Sequence, residues 1–192
     1  MNLLNFINNQ FHTTYTREDE LPFRSLQRVI PKGTVLTDYG KIERYTYFIN
    51  SGIIQVTLQR DIEEKIIDFF FPETFVCSYT SFILQIPSDV CVSALTDCVV
   101  EAISHEDIQS AYNQSFVANK MGRVLTEQIF IIKSKREKDF LTKSAEERYA
   151  ELIARRPDII RLIPGYKIAQ YLGIKPESLS RIRKDISIRY SE

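Results

Sequence analysis

The chain has 192 residues, 44% hydrophobic and 26% charged, with 25 Lys+Arg against 25 Asp+Glu. That length suits one large domain with a smaller one, and the apolar content is ample for a packed core. A zero net charge argues against a uniformly basic nucleic-acid binder, no apolar run approaches the roughly eighteen residues of a membrane span, and MNLLNFINNQF lacks the basic region and cleavage site of a signal peptide.

Between about Arg28 and Ile103 the chain reads as short strands and turns. VIPKGTVLTDYG places β-branched residues between the turn glycines Gly33 and Gly40. RYTYFINSGIIQVTLQ gives two β-rich runs broken at Asn50-Ser51-Gly52. The acidic DIEE at 61–64 can turn the chain, and KIIDFFF follows as another strand. DVCVSALTDCVVEAIS reads as two more, broken near Thr96-Asp97. Short strands at regular spacing predict an antiparallel barrel or sandwich.

After Ser104 the pattern becomes helical. His105–Tyr112 reads as a short helix, and SFVANKMGRVLTEQIFIIKSKREKDF as one helix of about seven turns. Val117, Met121, Val124, Gln128 and Ile131 recur at four- and three-residue steps, and Leu125 thickens the stripe. Such a seam packs on its own domain or on a second copy of the helix, and the latter is expected here. Ser144 with Glu147 forms a capping box ahead of AEERYAELIARR, which Pro157 ends. Pro164-Gly165 marks the next start.

The charge shifts where the pattern does. Residues 1–119 hold 8 Lys+Arg and 15 Asp+Glu, whereas residues 120–192 hold 17 and 10. An acidic front and a basic back imply two parts with different partners.

GYKIAQYLGIKPESLSRIRK, residues 165–184, has the marks of a helix-turn-helix unit. Ala169 is small where a second helix would pass, and Gly173 suits a turn that needs positive φ. Pro176 fits the first turn of the second helix, where its missing N–H is not needed. Ile168, Leu172, Ile174, Leu179 and Ile182 supply a small core. The outer face is left with Glu177, Ser178 and Arg181 as candidate base readers. Arginine can donate two hydrogen bonds to guanine, and glutamate can accept from cytosine. Lys167, Lys175, Arg183 and Lys184 are candidate phosphate contacts, which supply affinity without sequence choice.

A β-rich front, a long helix and IAQYLGIKPESLSRIRK together resemble the cyclic-AMP receptor protein (Crp/Fnr) family of bacterial transcription regulators, from about residue 20 to residue 186. The fold class implied is α+β. An antiparallel, cyclic-nucleotide-binding-like β-roll would span 1–112, a dimerisation helix 113–140 and a helix-turn-helix domain 141–192. The resemblance implies a homodimer on a palindromic site in double-stranded DNA, RNA polymerase as a further partner, and no membrane. It places Glu177 and Arg181 at base-reading positions. A third such position, usually Arg, falls on Pro176 and points to a different operator.

The nucleotide cassette departs from the family pattern. Cys77-Ser78 stands where a Gly-Glu pair would hold the ribose, and Pro87-Ser88-Asp89 where an Arg would neutralise the phosphate. No Arg or Lys occurs between Lys65 and Lys120. A buried phosphate without a cation loses charge-assisted bonds, and Asp89 would repel it. Cys77, Ser78, Ser88 and Asp89 therefore line a degenerate pocket in which no cyclic nucleotide is expected. A neutral or cationic molecule, a protein, or no ligand at all remain as readings. No other cofactor is expected.

Two histidines far apart and three cysteines, Cys77, Cys91 and Cys98, predict no metal site, leaving a redox-responsive thiol as the remaining thiol chemistry. No catalytic motif appears, so no catalytic residue is nominated and no enzyme is expected. With an odd cysteine count and no export signal, a cytoplasmic setting is expected. The reading is a dimeric, sequence-specific DNA-binding transcription regulator. The alternative is a β-roll sensor or adaptor acting through protein contacts with a vestigial helix-turn-helix, since only six residues follow Ile186 and leave little chain for a β-wing.

Overall fold

The computed structural model describes residues 1–60 and 63–189, so Asp61 and Ile62 of the acidic DIEE turn lie outside the described residues. The chain divides into two compact units, Met1–Leu125 and Thr126–Glu192. That division falls inside the long helix, not at either of its ends.

Among the described residues, eight strands run through the first unit: β1 (Leu26–Ile30), β2 (Val35–Thr37), β3 (Tyr45–Ser51), β4 (Ile54–Arg60), β5 (Glu63–Phe70), β6 (Phe75–Val76), β7 (Val90–Ala94) and β8 (Cys98–Ser104). They form two antiparallel sheets ordered β1-β8-β3-β6 and β2-β7-β4-β5. Each strand turns alternate side chains inward. Ile30, Tyr47, Ile49, Val100 and Ala102 from one sheet share a core with Ile54, Val56, Val92 and Ala94 from the other. Gly52 links β3 to β4 with φ 91°, and a Cβ there would collide with the Asp97 carbonyl and with Cys98. Only glycine meets both demands.

A second core cluster lies outside the roll. Helix α1 (Leu3–Phe11), capped by the Asn2 side chain on the Asn5 amide, sets Leu3 and Ile7 against Leu21, Phe48, Ile103 and Met121. The Glu101 carboxylate, 4% exposed, accepts from the Leu3 amide at 2.8 Å and anchors the start of that helix. Helix α2 (Tyr79–Leu84) interrupts the strands, and α3 (His105–Gln114) starts from a Ser104 cap. The long helix α4 runs Phe116–Thr142.

The second unit is helical. The Ser144–Glu147 capping box is formed, with both reciprocal bonds, and opens α5 (Ala145–Arg155). After the short α6 (Ile159–Leu162) come α7 (Gly165–Leu172) and α8 (Pro176–Arg189). Tyr149, Leu152, Ile159, Ile163, Ile168, Ala169, Leu172 and Leu179 are the buried side chains that hold these helices together.

The α4 stripe is divided: its first turns pack within the chain, and only its later residues are exposed. Met121 is 4% exposed, and it packs with Val117 into the α1 cluster of the first unit. Val124 and Leu125 are half-buried, whereas Gln128 and Ile131 are exposed beside Phe130 and Ile132. The apolar surface of α1, Phe48 and Ile103 claims the first turns of the stripe for the chain's own core. No described helix is long and apolar enough to cross a membrane.

Candidate functional site

The degenerate cassette is the turn from β6 through α2 into β7. The Ser78 and Ser88 hydroxyls lie 2.7 Å apart, and both residues are buried. Ser88 Oγ is also 2.7 Å from the Val90 carbonyl and accepts from the Val90 amide. A hydroxyl has one proton, so the two serines form a closed donor–acceptor chain that ends on backbone. Cys77 is partly exposed as a residue, but burial of its thiol, with the nearby Glu43 carboxylate adding to it, pushes its pKa up to about 12. Burial also raises the Cys91 and Cys98 thiols. Protonated thiols are poor nucleophiles, which weakens the redox reading. Asp89 is exposed.

The centre of this turn is Glu43, which sequence reasoning passed over. Its side chain is 1% exposed. One carboxylate oxygen accepts from the Thr37 hydroxyl at 2.5 Å and the Ser78 amide at 3.2 Å, and the other accepts from the Tyr45 amide at 3.2 Å. Its backbone is held as well, since its N–H donates to Ser81 Oγ at 2.9 Å and its carbonyl accepts from Gln85 Nε2 at 3.1 Å. Ser81 Oγ in turn donates to the Ile86 carbonyl at 2.6 Å. Burial raises the Glu43 pKa against the lowering effect of these hydrogen bonds. The cassette thus holds a buried carboxyl group of the protein's own, and residues 66–119 contain no lysine or arginine. An anion placed there would further disfavour ionisation of Glu43 in a low dielectric.

The second candidate surface is the helix pair α7–α8. Gly173 ends α7 in the left-handed conformation, φ 70°, and its amide bonds back to the Ala169 and Gln170 carbonyls. Ile168, Ala169, Leu172 and Leu179 are buried between the helices and their neighbours. Glu177 and Arg181, one turn apart on α8, are exposed, and Ser178 is half-buried beside them. Lys175 and Lys184 are exposed, while Lys167 on α7 is half-buried with its ammonium 5.6 Å from the Tyr166 ring. Arg183 departs from the phosphate expectation. It turns toward α5, where Nε donates to Tyr149 Oη at 3.1 Å, and Nη1 lies 3.4 Å from where a Cβ on Gly165 would sit. Its place four residues past the buried Leu179 puts it on the packed face of α8 rather than along the Glu177–Arg181 face.

Among the described residues, no group of three or more His, Cys, Asp or Glu side chains is placed to hold a metal ion.

Residues 27–115 match the family model described as the cyclic nucleotide-binding domain. No curated protein sequence matches the chain. Among solved structures, FixK2 from Bradyrhizobium japonicum superposes with a TM-score of 0.72 at 16% identity, covering 86% of this chain and 86% of its own. A protein from Eubacterium rectale, described as a transcriptional regulator of the Crp/Fnr family, gives 0.72 at 14% identity over 96% of this chain and 88% of its own. The regulator CLP of Xanthomonas campestris, described as responsive to c-di-GMP, gives 0.64 at 18% identity over 86% and 87%. Residues 27–115 are therefore similar to the cyclic nucleotide-binding domain, in a chain whose fold is like that of FixK2 and the Eubacterium rectale protein.

Proposed function

We propose that the protein is a sequence-specific DNA-binding transcription regulator that acts as a homodimer on an approximately palindromic operator. The observation that carries this reading is α8. Its Glu177 and Arg181 stand exposed on one face, flanked by exposed Lys175 and Lys184, behind a glycine turn and a buried helix–helix core. This is a helix-turn-helix in chemistry and order, within the basic part of the chain. The exposed end of the α4 seam, Gln128, Phe130, Ile131 and Ile132, is the surface offered to a second copy. Double-stranded DNA and RNA polymerase are the partners of such a regulator. Glu177, Ser178 and Arg181 read bases, and Lys167, Lys175 and Lys184 hold phosphates. The roll is not controlled by a cyclic nucleotide, because residues 66–119 offer its phosphate no Lys or Arg and the Ser78 and Ser88 hydroxyls are bonded to each other.

Selection of bound sequences from random duplex DNA, followed by a salt titration, tests the reading. An enriched palindrome and a steep fall of affinity with salt are expected. A shallow slope with no enriched sequence rejects it. Arg181→Ala should weaken binding to the selected site by ~1–3 kcal/mol and relax the choice at one base pair. Equal loss on every sequence would instead make Arg181 a phosphate contact.

The second reading is a roll acting through protein contacts. Tyr79, Ile83, Leu84 and Ile86, all exposed on and just after α2, support it. Failure of the DNA selection would favour it.

A further inference from the structure

The end of α7 is gripped from two sides by arginines that no base or phosphate role requires. Arg136 on α4 donates from Nη2 to the Tyr171 carbonyl at 3.3 Å, and its guanidinium lies 4.2 Å from the Tyr171 ring centroid. Arg148 on α5 donates from Nη2 to the Leu172 carbonyl at 3.0 Å and from Nη1 to the Lys143 carbonyl at 2.6 Å. Its Nε is shut away from solvent. Between the two arginines stands Phe140, with the Arg148 guanidinium 4.5 Å and the Arg136 guanidinium 5.4 Å from its ring centroid. The edge of that ring lies 3.3 Å from where a Cβ on Gly173 would sit.

Each contact answers a defined need of the helix ends. The last carbonyls of a helix have no intrahelical partner and carry the negative end of its dipole. Guanidinium groups satisfy both with charge-assisted hydrogen bonds, and their planar faces stack on rings. Arg148 bridges two such ends, that of α7 and the carbonyl just past α4, through two different nitrogens. The direction in which the chain leaves Gly173 toward α8 is set where these groups converge.

We infer that Arg136 and Arg148, packed on Phe140, are positioning residues for DNA recognition: they fix the end of α7, and through Gly173 the setting of α8, without touching DNA. The inference rests on the DNA-binding reading above. The pair act on specificity because base contacts demand a set angle of the helix, whereas phosphate contacts by flexible lysines tolerate a looser one.

The test uses the full chain and the operator selected for the wild type. Arg148→Lys keeps the charge but loses the two-nitrogen bridge, while Arg148→Gln and Arg136→Gln remove the charge. Affinity for the operator and for random duplex is measured across a salt series, beside far-UV circular dichroism and a thermal melt. At temperatures where the melts show each variant folded, operator affinity should drop by at least about ten-fold. Affinity for random duplex and the salt slope should hold. Folded variants that bind the operator as the wild type does overturn the inference, as does a loss accompanied by a salt slope reduced by about one, which marks a phosphate contact. Arg148→Lys and Arg136→Gln keep the test open should Arg148→Gln not fold. A wild type that selects no operator defeats the DNA reading itself, and this inference with it.

Discussion

Glu43 stands in the charged run KIER, yet its carboxylate is buried and accepts from Thr37, Ser78 and Tyr45. Its nearby partners Thr37 and Tyr45 do not by themselves foretell that environment, because Ser78 and the α2 residues that close over it lie 35 or more positions away. The same holds for Arg183, which is basic and adjacent to the reading face in sequence but bonded to Tyr149 in the fold. Burial raises the Glu43 pKa, so the folded unit holds that proton more tightly than the unfolded chain does. The group is least costly to fold below its unfolded pKa of about 4.3, and its contribution worsens as pH rises through the raised folded value. Urea unfolding of the wild type and of Glu43→Gln across this range should therefore show the wild type losing ground to the variant as pH rises. A difference between them that does not change with pH would contradict this account.

At the scale of elements, local chemistry was a sound guide wherever one residue type meets one backbone demand. Gly52 and Gly173 adopt positive φ, Pro176 opens α8, and the Ser144–Glu147 box opens α5. Ser144→Ala should cost roughly 1 kcal/mol, seen as a lower midpoint for unfolding of the helical unit. An unchanged midpoint would show that tertiary contacts alone hold the start of α5. Three helices, α1, α2 and the four-residue α6, escaped the reading, the first two for different reasons. In α1, Leu3, Ile7 and Phe11 recur at four-residue steps, a helical signal hidden in a segment weighed only as a leader. In α2 the run is six residues long, too short to show a period, and its exposed Ile83 and Leu84 look like core until the fold is known. The α4 stripe was legible as apolar, but its division between the α1 cluster and an exposed end was not.

For the whole molecule, the split between an acidic front and a basic back and the order of strands then helices pointed to the architecture that the structure and its relatives share. The absence of Lys and Arg over residues 66–119 is a property of the sequence itself, and the expectation of no cyclic nucleotide rests on it. Calorimetry with cyclic AMP and with cyclic GMP should give no binding heat in the micromolar range, and micromolar binding of either would refute the closed-cassette account. The chain alone settled those features in which a residue answers to its immediate neighbours: the glycine turns, the capping box, the proline starts, the change of period after Ser104. The tertiary structure alone decided which side chain meets which. Glu43 and Ser78 are 35 positions apart, and Tyr149 and Arg183 are 34. Burial and hydrogen bonding between such residues depend on how the elements pack, and no local pattern encodes that packing.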